Sequence, residues 1–393
     1  MGVSRRVLLV TLYYPPDLSA CAFRAGALVR ALRDVAPDVA VDVVTSVPHR
    51  YASFARRAEA HEEDGRLTID RLPMPSHRSD MISQALAYTA FARSVRTHLR
   101  GRRYDGVVAT SSRLMTAALG VHVAGRMGAP VYLDVRDLFA DAMKEVLPAG
   151  IGTALSPLLS LIEHRTLSRA AHINLVSPGF EAYVRARYPS RPLSWFTNGI
   201  DDEFLQPAVP PPVRADGVRT IVYAGNIGEG QGLHAVVPAL AVALAGRARF
   251  RIIGDGGRRA ALQEALRTAG APDVTLLPPM PRAQLIEEYQ AADALFLHLN
   301  DYEAFTRVLP SKLFEYAAMG RPVWAGVRGV ADTFLREQVP NAAVFAPCDE
   351  RGAVTAFAQL RWELTPRTEF VARYTRSAVM RAMATDILRV FAA

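Results

Sequence analysis

At 393 residues the chain is long enough for two or three domains. Its composition, 50% apolar and 21% charged, is that of a globular protein with a sizeable core and excludes a disordered or fibrous one. The 46 basic residues exceed the 38 acidic ones by 8.

That excess lies wholly in the first half. Residues 1–200 carry 25 basic and 17 acidic side chains, whereas 201–393 carry 21 of each. A positive half favours an anionic partner: a membrane surface, a phosphate-bearing substrate or nucleic acid. Nucleic acid is disfavoured, because no RNP-like aromatic motif or zinc finger accompanies the arginines. Arginine scatter from a GC-rich coding sequence accounts for the excess equally well. Against 44 arginines the chain has two lysines, Lys144 and Lys312, which single those positions out. Cys21 and Cys348 are too few and too far apart for a metal site or a disulfide framework, and suit a reducing compartment.

No apolar run reaches the roughly 18–20 residues of a membrane span. The first apolar stretch, Val7-Leu8-Leu9-Val10-Thr11, stops at Tyr13-Tyr14-Pro15-Pro16. It reads as a buried strand rather than a secretion signal. Further short apolar runs at 41–45, 106–110, 131–134 and 172–177 alternate with helical patterns at 22–33, 81–99, 114–127, 154–170 and 179–187. Near-continuous apolar strands separated by helices predict a parallel sheet covered on both faces. The proline-rich 207–217 reads as a linker, after which the rhythm restarts. Strands at 219–225, 249–254, 273–277, 293–299 and 322–325 alternate with helices at 233–245, 257–270, 282–292 and 311–319. The prediction is an α/β protein of two doubly wound Rossmann-like domains facing across a cleft, 1–204 and 205–375, with a final helix at about 376–393 packing back on the first.

Ligands of such sheets bind beyond the carboxyl ends of the strands, so the residues there are the candidates. After the first strand no GxGxxG follows, which argues against a dinucleotide dehydrogenase. Two readings stand for the segment that follows: a proline-fixed turn, and a loop reaching into the cleft with Arg24, which opens the next helix, meeting a phosphate. Asp134-Val135-Arg136-Asp137 follows another strand; two readings stand, a carboxylate pair that orients a hydroxyl and a salt-bridged helix cap. Asn198-Gly199-Ile200-Asp201 closes the first domain as a turn. Gly225, Asn226 and Gly228, then Gly254 and Asp255, place small residues at two strand ends of one sheet, where backbone N–H groups can meet phosphate. The most informative segment is Pro310-Ser311-Lys312-Leu313-Phe314-Glu315. Lys312 in a helix first turn has the wrong sign for the dipole and implies a bound anion. Glu315, one turn on, shares its face and could accept two ribose hydroxyls; the alternative is a surface i,i+3 ion pair. His164, His172 and His298 read as structural, His49 and His77 as loop residues, and none has zinc-ligand spacing.

The order of NGID (198–201), YAGNIG (223–228), IIGDGG (252–257) and PSKLFEYAAMGRPV (310–323) resembles the retaining GT-B glycosyltransferases of family 4 across nearly the whole chain. YYPP at 13–16 with Arg24, and PSK before FEY, resemble the branch that adds fucosamine-type amino sugars in O-antigen and capsule assembly. The resemblance implies sugar transfer with retention, from a nucleotide donor of the UDP class to a saccharide or lipid-linked saccharide, without metal or other cofactor. It makes Glu315 the ribose-binding second glutamate of an E-x7-E motif whose first position is here Arg307. It also implies that Lys312 supplies the phosphate-binding charge of an Arg and Lys pair, replaced here by Glu229-Gly230-Gln231-Gly232. Lys312, Glu315 and Asp137 become the catalytic candidates. Gly225, Asn226, Gly228, Gly254, Asp255 and Ser311 fall on the donor side, and Arg24, Asp134, Arg136 and Asn198 on the acceptor side. The stretch 81–99 reads as an amphipathic helix with Met81, Ala85, Tyr88, Ala92, Val95 and Leu99 on one face and Arg93, Arg96 and Arg100 on another. With a lipid-linked acceptor, this implies a cytoplasmic protein attached peripherally to the inner face of the inner membrane. A nucleotide-sugar epimerase of the same fold is the competing expectation.

Overall fold

The computed structural model describes residues 5–17, 19–48, 58–75, 81–111, 113–138, 150–207, 209–210 and 215–392. Lys144, His49 and His77 lie outside them. The chain divides into two units, Met1–Thr197 with Arg376–Ala393, and Asn198–Thr375.

The first unit is built on an eight-stranded sheet in the order β3-β4-β2-β1-β5-β6-β7-β8. Its strands are β1 (Arg6–Val10), β2 (Ala40–Ser46), β3 (His61–Asp64), β4 (Leu67–Leu72), β5 (Gly106–Thr110), β6 (Val131–Val135), β7 (His172–Leu175) and β8 (Leu193–Ser194). All neighbours are parallel except β3 with β4, a hairpin that turns at Gly65 with a φ of 63°. That hairpin escapes a search for apolar runs because β3 reads His-Glu-Glu-Asp and is largely exposed. Helices α1 (Ala20–Val35), α2 (Met81–His98), α3 (Leu114–Met127), α4 (Ile151–Leu167) and α5 (Glu181–Arg187) connect the strands. In α2 the inward face is Ala87, Tyr88, Phe91 and Val95, continued by Leu99, whereas Ala85 is exposed. The buried stripe is therefore rotated from the predicted one, because Phe91, the largest apolar side chain of the helix, sets which side packs.

The second unit holds a six-stranded, wholly parallel sheet in the order β11-β10-β9-β12-β13-β14. The strands are β9 (Arg219–Ala224), β10 (Ala248–Ile253), β11 (Val274–Leu277), β12 (Ala294–His298), β13 (Val323–Gly326) and β14 (Ala342–Phe345). Helices α6 (Leu233–Ala243), α7 (Arg259–Thr268), α8 (Arg282–Ala291), α9 (Ser311–Ala318), α10 (Val330–Gln338), α11 (Glu350–Gln359) and α12 (Thr368–Tyr374) complete it. Chain direction across the sheet reverses between β9 and β12, which makes a crevice at their carboxyl ends.

The unit boundary falls at Thr197/Asn198, not after 204. Ile200 and Phe204 are buried in the second unit's core with Tyr289 and Ala292, so apolar burial assigns this segment forward. The linker is also tied down at one point: the buried Arg321 guanidinium donates from Nη2 to the Val209 and Gln290 carbonyls. The predicted terminal helix is present, preceded by the separate helix α12. Thr375, which bridges to Ile200, separates the two, and α13 (Arg376–Ala392) belongs to the first unit. There Met380, Met383, Ala384 and Ile387 pack on Leu28, Leu32 and Val7. Gly106 leaves the space that the Phe391 ring fills, since a Cβ would lie 2.3 Å from it.

Candidate active site

In the second unit the donor-side candidates converge on the β9/β12 crevice. β9 ends in Tyr223-Ala224-Gly225, and β10 beside it ends in Ile253-Gly254-Asp255. The two turns touch: a Cβ on Gly254 would lie 1.9 Å from the Gly225 carbonyl oxygen, and its φ of 143° itself requires glycine. A Cβ on Gly225 would lie 2.2 Å from Lys312 Cε. Both glycines thus clear a path for backbone and for the lysine stem. The turn amides are spent internally, which differs from the expected phosphate cradle. Gly225 N–H donates to Ile253 O (2.8 Å), Ile227 N–H to Asp255 O (2.8 Å) and Gly228 N–H to Gln231 Oε1 (3.3 Å). Asp255 accepts from the Gly256 amide at 2.8 Å, and Asn226 Nδ2 donates to Gln231 Oε1 at 2.8 Å.

The start of α9, the helix after β12, brings a cation to this crevice. Pro310 is its N-cap and offers no side-chain acceptor to the first-turn amides of Ser311 and Lys312. Lys312 Nζ donates to Tyr223 Oη at 2.5 Å and lies 4.0 Å from that ring's centroid. Tyr223 has one hydroxyl proton, which it donates to Asn226 O at 2.6 Å, so its lone pair faces the lysine. The side chain of Lys312 is half-buried, and the protein packed around it brings its pKa down to about 7 against the pull of Glu315. Glu315 stands one turn on, half-buried. The ring below it is also fixed: Tyr316 Oη accepts the Ala224 amide at 3.1 Å and stacks edge-on against Tyr289.

Several residues that motif reading does not find complete this site. Burial alone would lower the Arg282 pKa, but Asp201 and Glu315 raise it, and Arg282 also bonds Glu203 at 3.1 Å. Gln231 is held through its carbonyl by His298 Nδ1–H at 2.7 Å, while His298 Nε2 accepts the Cys348 amide at 3.0 Å. Burial holds that imidazole neutral, with a pKa near 4, in agreement with a structural histidine. Glu229 accepts from Tyr302 Oη at 2.8 Å and from Arg258 Nε. Arg307 closes the short 3-10 turn Glu303–Arg307 ahead of α9. These contacts join residues 29 to 81 positions apart, so no local signal could have announced them.

On the first unit the structure corrects two assignments. Arg24 and Asp134 are each 1% exposed and saturate one another: Nε to Oδ2 at 2.8 Å and Nη2 to Oδ1 at 2.9 Å. Arg24 also donates to the Thr197 and Phe196 carbonyls at 2.7 Å, and Asn174 Nδ2 donates to Asp134 Oδ1 at 2.7 Å. Burial pushes the Asp134 pKa up, but Arg24, Arg136 and Asn174 outweigh it and hold it low. Neither residue has a face for a substrate; together they fix β6 and the 196–197 segment to α1. Arg136 donates its backbone amide to Ser111 Oγ at 2.8 Å. Asp137 is exposed at the surface, while the protein packed around its carboxyl raises its pKa to about 6 against Arg136. Asn198 is buried at the start of the second unit. His172 is likewise structural, stacked on Tyr132 at 4.9 Å. Among the described residues no group of three His, Cys, Asp or Glu is placed to hold a metal.

Two doubly wound, largely parallel sheets, the second with a lysine and a helix start at its topological switch point, define a protein of two Rossmann-like α/β domains. A glycosyl transferase 4-like domain matches residues 19–198, and the glycosyl transferases group 1 domain matches 218–361. An Escherichia coli K12 protein described as the colanic acid biosynthesis glycosyl transferase WcaI is 26% identical over 94% of this chain and 94% of its own. Sucrose-phosphate synthase of Thermosynechococcus elongatus shares the fold with a TM-score of 0.76 at 15% identity, over 99% of both chains. The lipopolysaccharide outer core galactosyltransferase WaaB does so at 0.60 and 13%, over 98% of this chain and 99% of its own. Anabaena HepE, solved with UDP and glucose, does so at 0.58 and 14%, over 99% and 97%. The chain is a glycosyltransferase of the GT-B fold.

Proposed function

We propose that the chain transfers a sugar, an N-acetylated hexosamine or deoxyhexosamine, from a UDP-class nucleotide donor to a saccharide or lipid-linked saccharide in surface polysaccharide assembly, with retention and without a metal. The observation that carries this is Lys312 at the uncapped start of α9, with Glu315 one turn on at the β9/β12 switch point. A leaving diphosphate gains charge as the glycosidic bond breaks. A helix N-terminus and an ammonium already in place stabilise that charge without reorganisation. Glu315 is spaced to accept the ribose hydroxyls. The names of WcaI, WaaB and HepE support surface saccharide chemistry and a UDP donor. A lipid-linked acceptor would bring the chain to the anionic cytoplasmic face of the inner membrane.

Thermal shift with a panel of nucleotides and nucleotide sugars tests the donor. A UDP-N-acetylhexosamine should raise the melting temperature through linkage, and Lys312→Ala should abolish the rise. Epimer formation from the donor alone, with no acceptor, would overturn the transferase reading in favour of the epimerase. Turnover should survive EDTA; its loss, restored by added magnesium or manganese, would refute the metal-free mechanism. If Asp137 acts as a base, activity should fall as pH drops through about 6, and Asp137→Asn should remove that limb of the pH–rate profile.

A further inference from the structure

Arg282 is the first residue of α8 and follows an N-cap proline, Pro281, so a second cation stands at a helix start against the dipole. Its side chain is 17% exposed and lies over the Phe204 ring, 5.2 Å from the centroid. Two carboxylates hold it. Nη2 donates to Asp201 Oδ2, and Nη1 donates to Glu203 Oε2 at 3.1 Å. Asp201 is the N-cap of the 3-10 turn Asp202–Phe204, yet its side chain makes no cap hydrogen bond and turns to the arginine instead. All of these residues belong to the second unit.

The same face of α8 leads to α9. Arg282, Ile286 and Tyr289 follow one another at helical spacing, and the last two are buried in one core with Phe204 and Tyr316. Phe204 stacks on Tyr289 at 6.0 Å, and Tyr289 meets Tyr316 edge-on at 5.3 Å. Tyr316 is the chain neighbour of Glu315. Burial works against the Arg282 charge, while Asp201 and then Glu315 favour it. An ion pair with Asp201 would by itself hold the 201–204 segment on α8. It does not call for a third carboxylate beside the same guanidinium. Nor does Lys312 hold Glu315, because its ammonium is bonded to Tyr223 Oη at 2.5 Å.

We propose that Arg282 is a positioning residue for the donor's ribose, a role that rests on Glu315 binding that ribose as inferred above. Asp201 and Glu203 fix the guanidinium. The guanidinium in turn keeps the Glu315 carboxylate ionised and turned so that it accepts both the 2′- and the 3′-hydroxyl. Only a ribose offers that pair of donors. A site built to receive a hydroxyl rejects the analogue that lacks it, so Arg282 sets the preference for a ribonucleotide over a 2′-deoxyribonucleotide. Asp201, which the sequence shows only as part of a turn, then acts on the donor through the arginine.

Calorimetric titration of the full chain with UDP and with 2′-deoxy-UDP tests this, because neither probe depends on which sugar is transferred. The wild-type chain should bind UDP about tenfold or more tightly than its deoxy analogue. Arg282→Gln should weaken UDP by about that factor and leave 2′-deoxy-UDP nearly unchanged, so that the preference disappears. Arg282→Lys keeps the charge but not the fork and should restore only part of it. Glu203 is 55% exposed, so Glu203→Gln should keep the wild-type melting temperature while lowering the preference severalfold, and it decides the case if Arg282→Gln does not fold. Equal loss of affinity for both nucleotides in Arg282→Gln, or a preference that Arg282→Gln and Glu203→Gln leave intact, would overturn the proposal and spare the ribose-binding role of Glu315. A preference that survives Glu315→Gln, or a wild-type chain that shows none, would refute that role and this one with it. Failure to bind either nucleotide would refute the UDP-class donor itself.

Discussion

Lys312 shows how one side chain can be both expensive and useful. Burial lowers its pKa to about 7, so near neutrality the free site holds a mixture of ammonium and amine. A diphosphate selects the charged form. Donor affinity should therefore be highest below about pH 7 and fall by up to tenfold per unit above it, with proton uptake on binding. Calorimetry in buffers of different ionisation enthalpy checks this. Lys312→Arg should flatten the pH dependence, because a guanidinium stays charged, while binding more weakly because its fork does not fit over Gly225. Tyr223 positions the lysine. Tyr223→Phe should raise the donor KM about tenfold with a smaller change in kcat, and kinetics with varied donor would show the split. The abundant arginines have a different use. Arg24, Arg321 and Arg367 are buried and span several carbonyls or a carboxylate, which a lysine's point charge would do less well. Arg24→Ala should cost about 3–5 kcal/mol in denaturant unfolding, because it strands the Asp134 charge.

At the scale of elements, each βα unit places its ligand-facing residues by ending a buried strand in a turn. Val7–Val10 and Ile221–Tyr223 are buried on both faces of their sheets, so they read as unbroken apolar runs and were legible as strands. Their glycine turns were legible too, but the role was not. The Gly225 and Gly254 turns make room, and their amides are already bonded. Gly254→Ala would drive a methyl into the Gly225 carbonyl and force a φ of 143° on a side chain that avoids it. It should destabilise the protein by more than about 1 kcal/mol in urea unfolding and weaken donor binding together. The β3–β4 hairpin was not legible, because β3 is polar and largely exposed and β4 shows only one apolar alternation, Leu67 and Ile69.

For the molecule as a whole, the last helix matters more than its place at the end of the chain suggests. α13 covers a face of α1 and the first sheet with Met380, Met383 and Ile387, all fully buried. A chain truncated after Thr375 should lose solubility or melt at a markedly lower temperature, because that face would be left bare. The sequence by itself determined the two doubly wound sheets, the class of transferase and the segment that holds Lys312 and Glu315. The sheets and that segment are written in neighbouring residues, as an apolar period and a helix start, whereas the class came from a resemblance in the order of motifs. Only the tertiary structure decided that Arg24 and Asp134 serve each other rather than a substrate. It also decided that Tyr223 steers Lys312. These outcomes depend on which distant side chains share a buried volume, and spacing along the chain does not carry that information.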